Sequence, residues 1–267
     1  MIYTILLFAL QGSFLESSQN EVIFGTVPRD YLAFGSGMAW SDDALIVRAN
    51  EPDPAGAVNS LGGLSDGALY VLGRSGAGYA VSDVLYHPEP RHELGFASIM
   101  RAEGDRLVMT DGLATDNGLP IYFGRAYIYE RTSQGWVLDQ TLLSTYATNS
   151  SLGFGSFGDL DGDRLVLVEA GNPGLGAPYT GIIRVFDHDG QRFVETARVT
   201  SPPELVAIPG LSVTRLRDRV TLDGDTMMMG AFGGGRRAMV WEKSPAAVWE
   251  FKQQIEPPPF TITSRFP

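Results

Sequence analysis

The chain contains no cysteine. Disulfide bridges, thiolate zinc sites and cysteine nucleophiles are therefore excluded. This absence fits a reducing compartment, and equally a secreted bacterial protein that does without disulfides. Basic clusters are also missing, apart from pairs such as Arg236-Arg237. The formal charge is −11 and the pI is near 4.7. A surface of that sign repels nucleic acid and anionic lipid, so neither is an expected partner. Helical periodicity is scarce, and no stretch longer than about ten residues combines it with helix-forming composition.

Long apolar runs are few. The run Ile2 to Leu10 at the N-terminus, about ten residues, is too short to span a bilayer, and no other segment is a membrane-span candidate. Its length suits the core of a signal peptide over residues 1–15, with small residues following at Gly12 and Ser13. No Lys or Arg precedes it. A buried first strand and an internal start within a longer gene are the alternatives. An extracytoplasmic location (secreted, periplasmic or at the cell surface) is the expectation that the signal-peptide reading carries.

Glycine, by contrast, is abundant, with 32 residues, and proline adds 16. That density suits many short strands joined by turns. One motif recurs as an acidic turn followed by an apolar strand. Its copies are Ser41-Asp42-Asp43-Ala44-Leu45-Ile46-Val47, Glu103-Gly104-Asp105-Arg106-Leu107-Val108-Met109, Asp161-Gly162-Asp163-Arg164-Leu165-Val166-Leu167 and Asp223-Gly224-Asp225-Thr226-Met227-Met228-Met229. The last turn residues, Asp43, Asp105, Asp163 and Asp225, are 62, 58 and 62 residues apart. A near-constant period of that length is the mark of a repeat architecture.

Each copy has similar surroundings. Upstream lies Phe34-Gly35, Gly95-Phe96 or Gly153-Phe154-Gly155, while the fourth copy has Leu211-Ser212-Val213. Downstream come two more strands, the first around Leu69-Tyr70-Val71, Tyr127-Ile128-Tyr129, Ile183-Arg184-Val185 and Met239-Val240-Trp241. Each unit thus reads as four short strands, A to D, with Asp-Gly or Gly-Asp marking the A–B hairpin. Strand B is almost continuously apolar and is expected to be covered on both faces, whereas C and D alternate and are expected nearer the outside. The fold class expected is all-β: a β-propeller of four-stranded antiparallel blades, about four repeats of roughly sixty residues. The repeats fall at about 34–86, 94–143, 152–200 and 211–255 of a single domain over 22–267.

Phe-Gly, Asp-Gly-Asp before an apolar strand, and Tyr-x-Tyr or an aromatic in the third strand together resemble FG-GAP repeats. They are closest to the bacterial secreted and surface form and more distant from the integrin α-subunit propeller. The third repeat is the best match. The resemblance implies binding or adhesion outside the cytoplasm, with calcium at the A–B hairpin. Integrin-like propellers have seven blades, which would need roughly four hundred residues at this period. A compact ring, closed by Val22-Ile23-Phe24-Gly25 as an outer strand, is one solution. A homodimer of two arcs completing one ring is a second, and a fragment of a longer gene is a third.

Chemistry-bearing motifs are sparse. Gly153-Phe154-Gly155-Ser156-Phe157-Gly158 matches a dinucleotide fingerprint but leads into an acidic turn instead of a helix. Gly63-Leu64-Ser65-Asp66-Gly67 matches a nucleophile elbow but leads into a strand. Asp159, Asp161 and Asp163 alternate in a short segment and are the candidate calcium ligands, a turn bonding its own amides being the competing reading. His87 and His92 belong to a proline-rich stretch expected to be a surface loop, and His188 is expected to be exposed. Up-and-down connectivity sends the tight A–B and C–D turns to one end of the blades and the long B–C and D–A loops to the other. Function concentrates on loops held by a rigid scaffold. The candidate ligand-binding residues are therefore Asp116, Asn117, Tyr122, Tyr146, Asn149, Asn172, Tyr179 and Arg236, for a protein or glycan partner. A propeller-fold hydrolase or lyase using carboxylates of the axial loops is the alternative function.

Overall fold

In the computed structural model, the structure describes residues 34–49, 67–76, 78–88, 97, 99–112, 124–144, 154–169, 181–200, 219–231 and 237–256. They form sixteen strands, and no helix among them is long and apolar enough to cross a membrane. The first blade comprises β1 (Met38–Ser41), β2 (Ala44–Ala49), β3 (Ala68–Ser75) and β4 (Gly78–Tyr86). The second comprises β5 (Met100–Glu103), β6 (Arg106–Asp111), β7 (Arg125–Thr132) and β8 (Gly135–Leu143). The third comprises β9 (Phe154–Asp161), β10 (Arg164–Glu169), β11 (Ile182–His188) and β12 (Phe193–Thr200). The fourth comprises β13 (Val220–Asp223), β14 (Thr226–Ala231), β15 (Arg237–Lys243) and β16 (Trp249–Ile255). Each blade is a separate antiparallel sheet with its strands in chain order. The chain is thus all-β and propeller-like, as the repeat predicts.

The A–B hairpins are two-residue turns at Asp42-Asp43, Gly104-Asp105, Gly162-Asp163 and Gly224-Asp225. The first turn residue has φ of 54°, 56° and 56° at the three glycines and 40° at Asp42. Positive φ there matches the right-handed twist of a hairpin, and glycine adopts it without a Cβ clash. Aspartate is among the few other residues that tolerate this region.

Three apolar seams join consecutive blades. Ile46, Leu69 and Val71 of the first blade meet Leu107, Met109, Tyr127 and Trp136 of the second. Val108, Ile128 and Leu142 meet Phe154, Leu165, Leu167, Phe186 and Phe193. Val166, Ile183 and Val185 meet Met227, Met229, Trp241 and Trp249. In the second and third blades strand B supplies residues to both neighbours alternately, which is why its sequence is apolar throughout. Strand C departs from the sequence expectation. It is buried on both faces over much of its length, as at Ala68–Leu72 and Arg125–Tyr129. Tyr127, Tyr129, Phe186 and Trp241 of this strand lie between blades, while strand D alternates and is largely exposed.

The Phe-Gly motif acts at a seam. Phe154 is fully buried between the second and third blades. Gly155, at φ 81°, leaves room for Thr110, whose Cβ would lie 2.9 Å from an added methyl. Thr110 Oγ1 donates to the Gly155 carbonyl at 2.6 Å and accepts the Ile99 N–H at 3.1 Å.

A β-bulge recurs at the same place in all four blades, between strands C and D. The ladder shifts between Val71 and Leu72, Ile128 and Tyr129, Val185 and Phe186, and Val240 and Trp241. The extra residues are Ser82, Asp139, Thr196 and Lys252, all polar but ranging from hydroxyl to carboxylate to ammonium. A bulge raises the local twist and makes an outer edge a poor template for further pairing.

Candidate functional site

The two ends of the blades use charge differently. At the turn end, each blade grips the next. Glu103, closing strand A of the second blade, accepts the Gly162 N–H at 2.7 Å, and Asp161 of the third blade likewise accepts the Gly224 N–H. Arg106 donates to the Gly162 carbonyl at 3.1 Å and to Asp163 at 2.6 Å. Arg164 repeats this on the Gly224 carbonyl at 2.7 Å and on Asp225 at 2.9 Å. The same arginines lie over the aromatic that opens strand D of the next blade, 5.6 Å from the Phe193 ring and 5.5 Å from that of Trp249. The first seam has Ala44 in place of arginine. There Ser41 donates to the Gly104 carbonyl and Arg131 reaches back to Asp43.

This clasp accounts for Asp159, Asp161 and Asp163. Asp159 accepts from Arg101 at 2.7 Å and from the Leu222 N–H at 2.9 Å, so it bridges three blades. Asp161 faces the fourth blade and Asp163 the second. The Arg106 hydrogen bond holds the Asp163 carboxyl below its ordinary value. Their carboxylates serve different neighbours, and no group of three or more His, Asp or Glu side chains among the described residues is arranged to hold a metal ion.

His188 is a correction to the sequence expectation: its side chain is 8% exposed. The ring packs edgewise on Phe193 at 5.1 Å. Its Nδ1 accepts the Gly190 N–H at 3.2 Å and lies 3.2 Å from Arg106 Nη2.

The long-loop end holds the charges that sequence reasoning missed. Strand B closes on Ala49 in the first blade, Asp111 in the second and Glu169 in the third. Asp111 and Glu169 are only 2% and 1% exposed. Burying a carboxylate is costly unless it is paired. Asp111 lies 3.3 Å from His87 Nε2. His87 is buried and stacks edgewise on Tyr127 at 5.3 Å, so it is a seam residue and not part of a surface loop. Arg48 stands nearby, with Nη1 3.5 Å from the Ala97 carbonyl. Burial lowers its pKa, an effect that Asp111 opposes.

Glu169 accepts from Ser144 Oγ and lies 3.6 Å from Arg184 Nη1. Arg184 is buried within strand C at the position that carries Tyr70, Tyr127 and Met239 in the other blades. It donates to Glu195 at 2.7 Å and to the Leu143 carbonyl at 2.9 Å. Its guanidinium lies 4.6 Å from the Phe154 ring and 5.1 Å from that of Phe186. Burial pushes the Glu195 carboxyl up, but hydrogen bonds from Arg198 and Arg184 outweigh it and hold the group below its ordinary value.

The result is two groups of buried charge, Asp111 with His87 and Glu169 with Arg184, where the B–C and D–A connections of blades one to three begin and end. One signal was available in the sequence. Asp111 and Glu169 each stand six residues past the turn aspartate of their repeat, where the outer repeats have Ala49 and Ala231. The candidate ligand-binding residues Asp116, Asn117, Tyr122, Tyr146, Asn149, Asn172, Tyr179 and Arg236 lie outside the described residues, as do His92, Val22 to Gly25 and residues 1–15.

No protein-family model matches the chain. No curated protein matches it. Among solved structures, it is similar to a protein from Lactobacillus plantarum at 12% identity, over 82% of this chain and 70% of that one, with a TM-score of 0.36.

Proposed function

We propose that this is an extracytoplasmic binding or scaffold protein of the FG-GAP type, which recognises a protein or glycan partner through the long-loop end of its blades. The observation that supports the reading most is the contrast in how the ends are used. The A–B turns are tight and their carboxylates are taken up in holding blades together. At the opposite end, buried charge pairs lie where the longest connections of the chain begin and end. Recognition loops need such a rigid base. The acids of that row are paired with His87, Arg184 and Ser144, which suits anchoring more than acid–base work.

Binding of the purified full chain to a panel of glycans and extracellular proteins tests this. Saturable binding without turnover, unchanged by chelators, is the expected result. Cleavage of a panel member would support the hydrolase or lyase alternative, and the absence of binding across both halves of the panel would count against recognition by this face.

A further inference from the structure

Arg184 and Arg48 are both cations at the long-loop end, but only one of them is neutralised. Arg184 has Glu195 at 2.7 Å, the Leu143 carbonyl at 2.9 Å and Glu169 at 3.6 Å. Arg48 is half-buried on strand B of the first blade, alternating with Ala44 and Ile46, which pack against the second blade. Its one side-chain hydrogen bond is the long contact from Nη1 to the Ala97 carbonyl, 3.5 Å. Nε is enclosed and has no partner. Nη2 makes no bond among the described residues, yet it is not enclosed. Asp111 acts on Arg48 through space but is held by His87 instead. Among the described residues, no carboxylate stands within ion-pair distance of this guanidinium. A partly buried cation left without a counter-charge lowers stability.

The repeat shows what this position otherwise carries. Arg48 lies five residues past its turn aspartate, where the following repeats have Thr110, Val168 and Gly230. Thr110 makes the equivalent contact without a charge. Its hydroxyl donates at 2.6 Å to the carbonyl of Gly155, which follows Phe154 as Ala97 follows Phe96. Ala97 holds a φ of 53° without being glycine, where Gly35 and Gly155 have 85° and 81°. A charge that the seam does not need and a left-handed alanine therefore meet at one place. Unfavourable features of this kind persist where they serve a site.

We propose that Arg48 is the anchoring cation of a binding site for a carboxylate-bearing ligand, at the loop end of the seam between the first and second blades. The planar guanidinium offers parallel N–H donors, and a carboxylate accepts two of them at once. Nη2 supplies one, and Nη1 exchanges its long contact with the Ala97 carbonyl for a short, charge-assisted one. A singly charged group suits the site better than a phosphate, because Asp111 and the net charge of −11 both oppose further negative charge.

A free carboxylate tests the site alone, whichever partner the loops recognise. The full chain is titrated with sodium acetate at fixed ionic strength, and with acetamide as a probe of the same shape without the charge. Acetate should raise the melting temperature saturably, by about 3 °C at ten times its Kd, and acetamide should not. Arg48→Thr, which installs the residue of the second blade, should abolish the response. Without acetate, Arg48→Thr should melt no lower than the unmodified chain, since it removes an unpaired charge. No shift with acetate, equal shifts with acetate and acetamide, or an undiminished response in Arg48→Thr would each overturn the proposal. So would a large loss of stability in Arg48→Thr without acetate, which would mean that another part of the chain already neutralises Arg48.

Discussion

The turn end and the long-loop end of the blades solve the same problem, holding neighbouring sheets together, with opposite economies. At the turn end the contacts repeat, lie in water and are individually weak. Arg106–Asp163 and Arg164–Asp225 each join a half-buried arginine to an aspartate whose side chain is at least 70% exposed. At the long-loop end the contacts are irregular, buried and confined to the middle of the molecule. Arg184 sits within a seam with Glu169 and Glu195 and has no equivalent in the other blades. The comparison teaches that the repeat supplies the scaffold, while departures from it mark where the molecule has been specialised.

The largest expected effect follows from removing the buried cation. Arg184→Met leaves Glu169 and Glu195 without it and should cost about 3–5 kcal/mol, read from urea denaturation. Adding Glu169→Gln and Glu195→Gln to the same chain should recover part of that loss. No recovery would mean that packing on Phe154 and Phe186, and not charge, carries the effect. Gly155→Ala forces a Cβ onto Thr110 from a left-handed backbone and should cost about 2 kcal/mol. Arg164→Ala, at the turn end, should cost about 1 kcal/mol or less. An Arg164→Ala loss as large as that of Arg184→Met would erase the distinction between the two ends.

Acid should sharpen the comparison further. Burial raises the Asp187 and Glu195 carboxyls, but arginine hydrogen bonds prevail and hold both below their ordinary values of 3.8 and 4.5. The folded state therefore binds protons less readily than the unfolded chain. The stability these groups contribute is present above pH 4.5 and is lost as the pH falls through their folded values. Urea midpoints should be level from pH 7 to pH 5 and should decline below that. The smallest effect expected is that of calcium. Melting temperatures with millimolar calcium and with chelator should agree within about 1 °C, because a ligand stabilises only if the folded state binds it.

Much of this fold was legible because the repeat displays its own turns. Asp-Gly and Gly-Asp fall at the A–B hairpins, and the apolar runs after them are the strands buried on both faces. The bulges were not legible, since Ser82, Asp139, Thr196 and Lys252 share only polarity, which the exposed outer strand has at many other positions. Strand C reads from its sequence as lying nearer the outside because Tyr127, Tyr129 and Arg184 are amphipathic side chains, although each is buried between blades. His87 and His188 depart from the sequence expectation for a related reason. Each lies beside a turn or a proline, yet each packs on an aromatic ring and beside a charged partner from another blade. The Asp159-Asp161-Asp163 alternation reads locally as a chelating loop. Only the neighbouring blades reveal that each carboxylate already has a distant partner. Arg184 could be noticed as an arginine among apolar residues, but its partners come from three different strands and leave no local pattern.

The measurement that tests the central claim most directly is a comparison of partner affinity between variants of the two ends. It would use whichever glycan or protein the full chain binds. Tyr122→Ala and Tyr179→Ala, in the long connections, should each weaken binding at least tenfold, while Asp163→Asn at the turn end should change it less than twofold. Binding abolished by Asp163→Asn and indifferent to both tyrosines would place recognition on the opposite end and contradict the account.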